Sequence, residues 1–299
     1  MAIRIGVDLG GTKIEGIALG DDGTVLGQKR LSTPQGDYPA ILGTVTALIQ
    51  ELEARHGNGS AVAIGIGTPG SFSMVSGLLR NSNSQCLNGK PLQQDLQDCL
   101  QRPIHLANDA NCFTLSEARD GAGAGAAVVF GVIIGTGTGG GLVVNGKLLA
   151  GRNSIAGEWG HNPLPWPTAQ ELPGPACYCG KHGCIETFLS GPGFAADHRD
   201  SGGAPLDPRE IMMAARAGDR ICLASFERYA ERLAKSLAHV INILDPDVIV
   251  LGGGMSNIQE LYAAVPRRWG AYVFSDQVTT ALRPAVFGDA SGVRGAARL

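Results

Sequence analysis

One pattern occurs twice in this chain. Near the amino terminus a strand-like run, Arg4 to Leu9, breaks at Gly10-Gly11-Thr12 and resumes as Ile14 to Leu19. Past Asp120, Val128 to Ile134 breaks at Gly135-Thr136-Gly137-Thr138-Gly139 and resumes as Gly141 to Val144, closed by the hairpin pair Asn145-Gly146. Strand, Gly/Thr turn, strand in both places reads as an internal duplication, with two similar turns in two halves facing each other across a cleft. A further buried strand, Asp247 to Leu251, runs into Gly252-Gly253-Gly254 and marks the second half again.

Between these landmarks the first third reads as βββαβα. Val25 to Leu31 is a third strand, and Tyr38 to Arg55 is a helix, with Ile41, Leu42, Val45, Leu48, Ile49 and Leu52 at helical spacing. Ala61 to Ile66 is an apolar strand, Leu92 to Leu100 a short helix and Ile104 to Ala107 another strand. That order fits an α/β domain whose sheet mixes antiparallel and parallel strands. Gly is 44 of 299 residues, about 15% and roughly twice average usage. The glycines lie in bursts beside apolar runs without a period, which excludes collagen and suits loops that approach a ligand closely.

Lys+Arg 24 against Asp+Glu 27 gives a net charge of −3, which offers no basic face for nucleic acid. Met1-Ala2-Ile3-Arg4 leads straight into a strand, with no export signal. The uncharged run Gly121 to Gly146 is long enough to span a bilayer, but it carries ten glycines. A cytoplasmic protein with no membrane partner is the expectation. In that setting seven Cys, three of them crowded into Cys177, Cys179 and Cys184, read as a metal site before disulfides. With His161 they make a closed, structural Cys₃His zinc set. Buried free thiols, or His182 in place of His161, are the alternatives.

The remaining chemistry is carried by short motifs. In Asp8-Leu9-Gly10-Gly11-Thr12-Lys13 the glycines let backbone N–H groups approach an anion, Thr12 adds a donor and Lys13 a charge. Asp8 is placed to hold water on a divalent ion that bridges phosphates. An ordinary hairpin turn is the competing reading. Gly135-x-Gly137-x-x-Gly140 and Gly65-x-Gly67-x-x-Gly70 match the dinucleotide fingerprint literally, yet neither is followed by the helix that fingerprint requires. Asp109, just past a strand in Asn108-Asp109-Ala110-Asn111, suits a base that takes a hydroxyl proton, or equally a helix N-cap. Glu186, two residues past Cys184, reads as a hydroxyl-binding carboxylate.

Taken in order, these motifs resemble the ROK family of sugar kinases and repressors. The resemblance rests on Asp8 to Lys13, Gly65-Ile66-Gly67-Thr68-Pro69-Gly70, Asn108 to Asn111, Gly135 to Gly141, Glu158-x-Gly160-His161, the Cys cluster, and Asp245-Pro246-Asp247 with Gly252 to Gly254. Asn81 to Ser84, Leu87-Asn88-Gly89, Glu158 to Trp166 and Cys177 to Lys181 look most like its bacterial fructokinase or manno(fructo)kinase branch. The resemblance implies an actin-like (RNase-H-like) two-lobed α/β fold with a central ATP and sugar cleft. Its small lobe would take residues 1–118, with the tail 290–299 packing back on it. Its large lobe would take 119–289, with a zinc loop at 161–184. It implies Asp109 as general base, and ATP with Mg²⁺ held by Asp8, Gly10, Gly11, Thr12, Lys13, Gly135, Thr136, Gly137, Gly252, Gly253 and Gly254. Sugar contacts would come from Gly67, Pro69, Gly70, Asn83, Asn108, Asp109, Glu158, His161 and Glu186. Zn²⁺ would sit on His161, Cys177, Cys179 and Cys184, leaving the other ring nitrogen of His161 to face the sugar. The expected activity is transfer of the ATP phosphoryl group to the 6-hydroxyl of D-fructose, with mannose as a further acceptor. N-acetylglucosamine or glucose is the alternative within the family, and a sugar-sensing regulator the alternative outside the enzyme class. The family also implies a homodimer.

Overall fold

The opening turn works as a hairpin. β1 (Ile3–Leu9) and β2 (Lys13–Gly20) pair antiparallel from Ile3 opposite Gly20 to Leu9 opposite Ile14, and β3 (Val25–Ser32) extends the meander. The chain then forms α1 (Tyr38–His56), β4 (Ala63–Thr68), the two-residue strands β5 (Ser71–Phe72) and β6 (Leu79–Arg80), α2 (Leu92–Leu100), β7 (His105–Asn108) and α3 (Asp109–Asp120). Their sheet has the order β3-β2-β1-β4-β7, with β4 parallel to both β1 and β7. The computed structural model describes residues 3–57, 62–73, 75–82 and 84–299.

Local chemistry explains the helices. Asp37 caps α1 by accepting from Ala40 N at 3.0 Å, and Pro39 fits the first turn because no donor is needed there. Ile41, Val45, Leu48, Ile49 and Leu52 then share one buried stripe against Ile5, Val7, Ile64 and Ile66 of the sheet.

The second repeat is built likewise. β8 (Val128–Ile134) and β9 (Thr138–Val144) pair antiparallel around the Gly135 turn, and a short β10 (Lys147–Leu148) follows. Next come α4 (Ile185–Leu189), α5 (Gly191–Asp200), α6 (Pro208–Arg216), α7 (Arg220–Leu244), β11 (Val248–Gly252), α8 (Leu261–Ala264), α9 (Pro266–Trp269) and β12 (Ala281–Pro284). The order β9-β8-β11-β12 sets β11 parallel to β8, as β4 is parallel to β1, so both halves repeat the hairpin-plus-parallel-strand plan. β11 is buried throughout, as its unbroken Val-Ile-Val-Leu run requires. The strand after the second turn begins at Thr138, earlier than the sequence suggests, because Thr138 already pairs with Ile134.

The chain divides into two compact units. One comprises Met1–Ala124, Gly146–Ala156 and Asp289–Leu299, the other Gly125–Asn145 and Gly157–Gly288. The segment Gly146–Ala156, which the expected boundary places in the second lobe, belongs to the first unit. The carboxyl-terminal helix α10 (Ser291–Ala296) lies on the first unit's sheet at a distance that only glycine permits. A Cβ on Gly65 would fall 1.9 Å from Ala296 O, and one on Gly6 would fall 2.2 Å from Val293 O. Gly65, the first glycine of a failed dinucleotide fingerprint, therefore serves strand–helix approach. Among the described residues no helix is long and apolar enough to cross a membrane.

Candidate functional site

In the first unit, sheet order brings the carboxylates together. Asp8, the last residue but one of β1, pairs across the hairpin with Glu15 and on its other side with Gly67 of β4. Burial pushes the Asp8 carboxyl up to about 6, the Asp109 and Glu15 charges push the same way, and Lys13 and Arg30 oppose them. Asp8 thus sits out of water with two other carboxylates and two cations acting on it. Lys13 Nζ lies 3.8 Å from Glu15, which is buried and also receives Arg30 Nη2 at 2.8 Å. The Gly10–Lys13 turn is laced from outside: Gly10 N donates to Lys13 O at 2.9 Å, Thr33 Oγ1 to Gly10 O at 2.8 Å, and Thr33 N to Thr12 O at 3.0 Å. Thr33 escaped the sequence reading because it lies a full strand away from the turn it holds.

The two readings of Asp109 separate in the structure. Asn108 is the cap of α3, its Oδ1 accepting from Ala110 N at 2.8 Å and Asn111 N at 3.2 Å, while its Nδ2 donates to Gly70 O at 3.4 Å. Asp109 is the first helical residue, so the capping role is taken by its neighbour. Gly67, Pro69 and Gly70 follow the same edge at the end of β4. Asn83 lies outside the described residues. Asn88 accepts from Ser82 N and donates to Ser82 O, each at 2.9 Å.

In the second unit, the Gly135–Thr138 turn is braced by Glu186. Thr138 N donates to Glu186 Oε2 at 2.9 Å, Gly191 N donates to Gly135 O at 2.8 Å, and a Cβ on Gly137 would fall 2.6 Å from the same Glu186 oxygen. One carboxylate oxygen is thus already engaged with the turn, a role the sequence did not reveal. Gly135 and Thr136 line a cavity of about 1100 Å³ with Gly254 and with Pro192, Met212 and Met255. Those last three gave no sequence signal, because apolar residues that line a cavity look like ordinary core in a sequence. Gly252 closes β11, and Gly253, at φ +80°, leaves a Cβ only 2.4 Å from Ile134 O. Trp159 is buried against the turn, donating Nε1–H to Gly139 O at 3.0 Å and meeting Phe130 edge-on.

The proposed metal ligands converge. One donor atom from each of His161, Cys177, Cys179 and Cys184 lies within 4.8 Å of the others. Cys179 Sγ and Cys184 Sγ are 3.6 Å apart, as are Cys177 Sγ and His161 Nδ1. Tetrahedral zinc–sulfur bonds of about 2.3 Å imply ligand separations of about 3.7 Å, so the donor set fits. Burial and the neighbouring thiols push Cys184 up to about 12, a penalty that coordination as thiolate relieves. His161 rather than His182 completes the set. The other imidazole nitrogen, expected to face the sugar, shares a 3.0 Å hydrogen bond with the Tyr178 hydroxyl.

Comparison with known proteins fits this arrangement. The ROK family model matches residues 4–299. The chain belongs to the ROK family. An N-acetylgalactosamine kinase of Shewanella sp. is 41% identical over 297 residues, covering 98% of this chain and 95% of that protein. An N-acetyl-D-glucosamine kinase of Pectobacterium atrosepticum is 40% identical over 298 residues, covering 98% and 97%. Among solved structures, a ROK hexokinase from Thermus thermophilus superposes with a TM-score of 0.87 at 31% identity, covering 99% of this chain and 96% of that one. The fold of this ROK protein is thus the actin-like α/β fold expected from its motifs. Both relatives are named as kinases of N-acetylated amino sugars rather than of fructose.

Proposed function

We propose that this ROK protein is an ATP-dependent hexose kinase that phosphorylates the 6-hydroxyl of its sugar. The observation that carries the reading is Asp109 at the start of α3, its charge felt by Asp8 near the end of β1. Asp109, whose Oδ1 accepts from Ala110 N at 2.8 Å, takes the proton as the sugar hydroxyl attacks, while Asn108 supplies the cap of the helix. Asp8 would hold the divalent cation that accompanies ATP. In the first unit the Gly10–Lys13 turn would offer backbone donors to phosphate, and in the second unit the cavity lined by Gly135, Thr136 and Gly254 would accept the base. Catalysis is mostly positioning and charge neutralisation, as phosphoryl transfer requires. His161, Cys177, Cys179 and Cys184 would hold zinc, whose contribution is to cross-link the loop between them.

The acceptor we favour is a 2-acetamido-2-deoxyhexose, on the support of relatives named N-acetylgalactosamine and N-acetyl-D-glucosamine kinases at 40–41% identity over nearly the whole chain. Fructose is the second reading, supported by the segments Asn81 to Ser84, Glu158 to Trp166 and Cys177 to Lys181. Specificity constants for N-acetylglucosamine, N-acetylgalactosamine, fructose, mannose and glucose, measured side by side, decide between them. A fructose value more than about tenfold above both amino sugars removes the first reading.

A further inference from the structure

The chain from Asn162 to Cys184 forms a long loop within the second unit, and two separate fastenings hold it. At its ends Pro163 bridges Cys184, Leu164 N donates to Gly183 O at 2.8 Å, and Ile185 N donates to Asn162 O at 2.9 Å, all beside the donor cluster. Its outer part is held by charge. Arg232 of α7, with 8% of its side chain exposed, sends Nε to Glu171 Oε1 and Nη1 to Asp197 Oδ1, each at 2.7 Å. Glu171 Oε2 accepts from Thr168 N at 2.8 Å and lies 3.7 Å from Lys235 Nζ, which donates to Trp166 O at 2.9 Å. The Arg232 guanidinium also lies 4.9 Å from the ring centroid of Phe188 on α4, two residues beyond Glu186. One buried cation therefore touches the loop, α4 and α5.

Ion pairs taken out of water contribute little net stability compared with apolar packing of the same shape. What a buried guanidinium supplies is direction, because its donors form a rigid fork with fixed angles. Here the fork joins the outer loop to α5 through Asp197, while the guanidinium rests against Phe188 of α4, the helix that carries Glu186, and Glu186 in turn braces the Gly135–Thr138 turn. We propose that Glu171 is a positioning residue: by gripping Arg232 it seats the 162–184 loop against α4 and sets His161 and Glu186, at the two ends of that loop, for the sugar. The metal cluster and this charge clamp act independently. The proposal rests on the reading of His161 and Glu186 as sugar-facing residues.

Glu171→Ala is the test: it leaves Arg232 paired with Asp197, while the buried Lys235 loses its carboxylate and keeps the Trp166 carbonyl. The expected result is metal content at the wild-type level, faster amide exchange over 166–171 with 177–184 unchanged, and a sugar KM raised about tenfold with kcat within about threefold. Glu171→Gln keeps an acceptor for Arg232 and brings the KM back toward wild type, which a general loss of fold would not allow. An unchanged KM in Glu171→Ala, unchanged exchange over 166–171, or loss of the metal with the substitution overturns the proposal. Glu186→Gln in the same assay separates the two levels. If the KM is unmoved there as well, the sugar assignment has failed, and the exchange data alone then judge whether Glu171 fastens the loop.

Discussion

Replacing Asp8 by Asn stabilises this protein while abolishing its turnover. The Asp8 carboxyl rises from 3.8 to about 6 on folding, chiefly because it is buried and then because Asp109 and Glu15 lie close. A raised folded-state value means that the native protein binds the proton more tightly than the unfolded chain. This contribution to stability is therefore complete below pH 3.8 and is lost as pH rises through 6. At pH 7.5, about two units at 1.36 kcal/mol each amount to roughly 3 kcal/mol of lost stability, against about 0.5 kcal/mol at pH 4. Asn has the shape of the protonated acid and avoids that loss. Asp8→Asn should thus be about 3 kcal/mol more stable than wild type at pH 7.5 without magnesium, and the difference should shrink to under about 1 kcal/mol at pH 4. Far-UV circular dichroism in denaturant is the right assay, since Trp159, Trp166 and Trp269 all lie in the second unit and Asp8 in the first. A variant equal to or less stable than wild type at pH 7.5, or a gain that does not fade toward pH 4, refutes the reasoning. Magnesium should narrow the gap by stabilising wild type alone, which thermal melts with and without the cation will show.

Three further outcomes follow from the geometry. Asp109→Asn should fold and bind sugar normally but lose about 10²–10⁴ in kcat, the range of a general base, and steady-state rates within a few-fold of wild type would take Asp109 out of that role. Stripping the metal with a chelator should speed amide exchange at 177–184 and lower activity, with added zinc restoring both; unchanged exchange would mean that the four ligands hold nothing. Gly65→Ala should cost about 1–3 kcal/mol or more, since its Cβ would sit 1.9 Å from the Ala296 carbonyl. Gly43→Ala, mid-α1 with no neighbour within 4 Å, should instead gain up to about 1 kcal/mol, and chemical denaturation of the pair tests both signs.

Much of the fold could be read from the sequence because its signals are local. The hairpins around Gly10 and Gly135, the apolar stripe of α1 and the unbroken run of β11 each fix their own structure within a few residues. The convergence of the three thiols was legible for a similar reason, since cysteines crowded within eight positions stay close in any fold, and His161 joins them only through the tertiary structure. What escaped depends on residues far apart. Thr33 lacing the Gly10 turn, Gly6 and Gly65 admitting α10, and Glu171 meeting Arg232 all need the tertiary fold before they become neighbours. Asp109 shows the limit of residue type as evidence: the capping preference of the Asn108-Asp109 pair was right, but the geometry gave it to Asn108. Glu186 likewise carries a structural duty toward Thr138 that no spacing rule contains.

Sugar-dependent ADP release by the zinc-replete protein with magnesium and ATP tests the central claim most directly. The account predicts that at least one hexose drives one ADP per sugar 6-phosphate formed, that amino sugars lead the panel, and that Asp109→Asn cuts the release by about 10²–10⁴ while still binding the sugar. ADP release that is indifferent to every sugar, or that stays within a few-fold of wild type in Asp109→Asn, would contradict it.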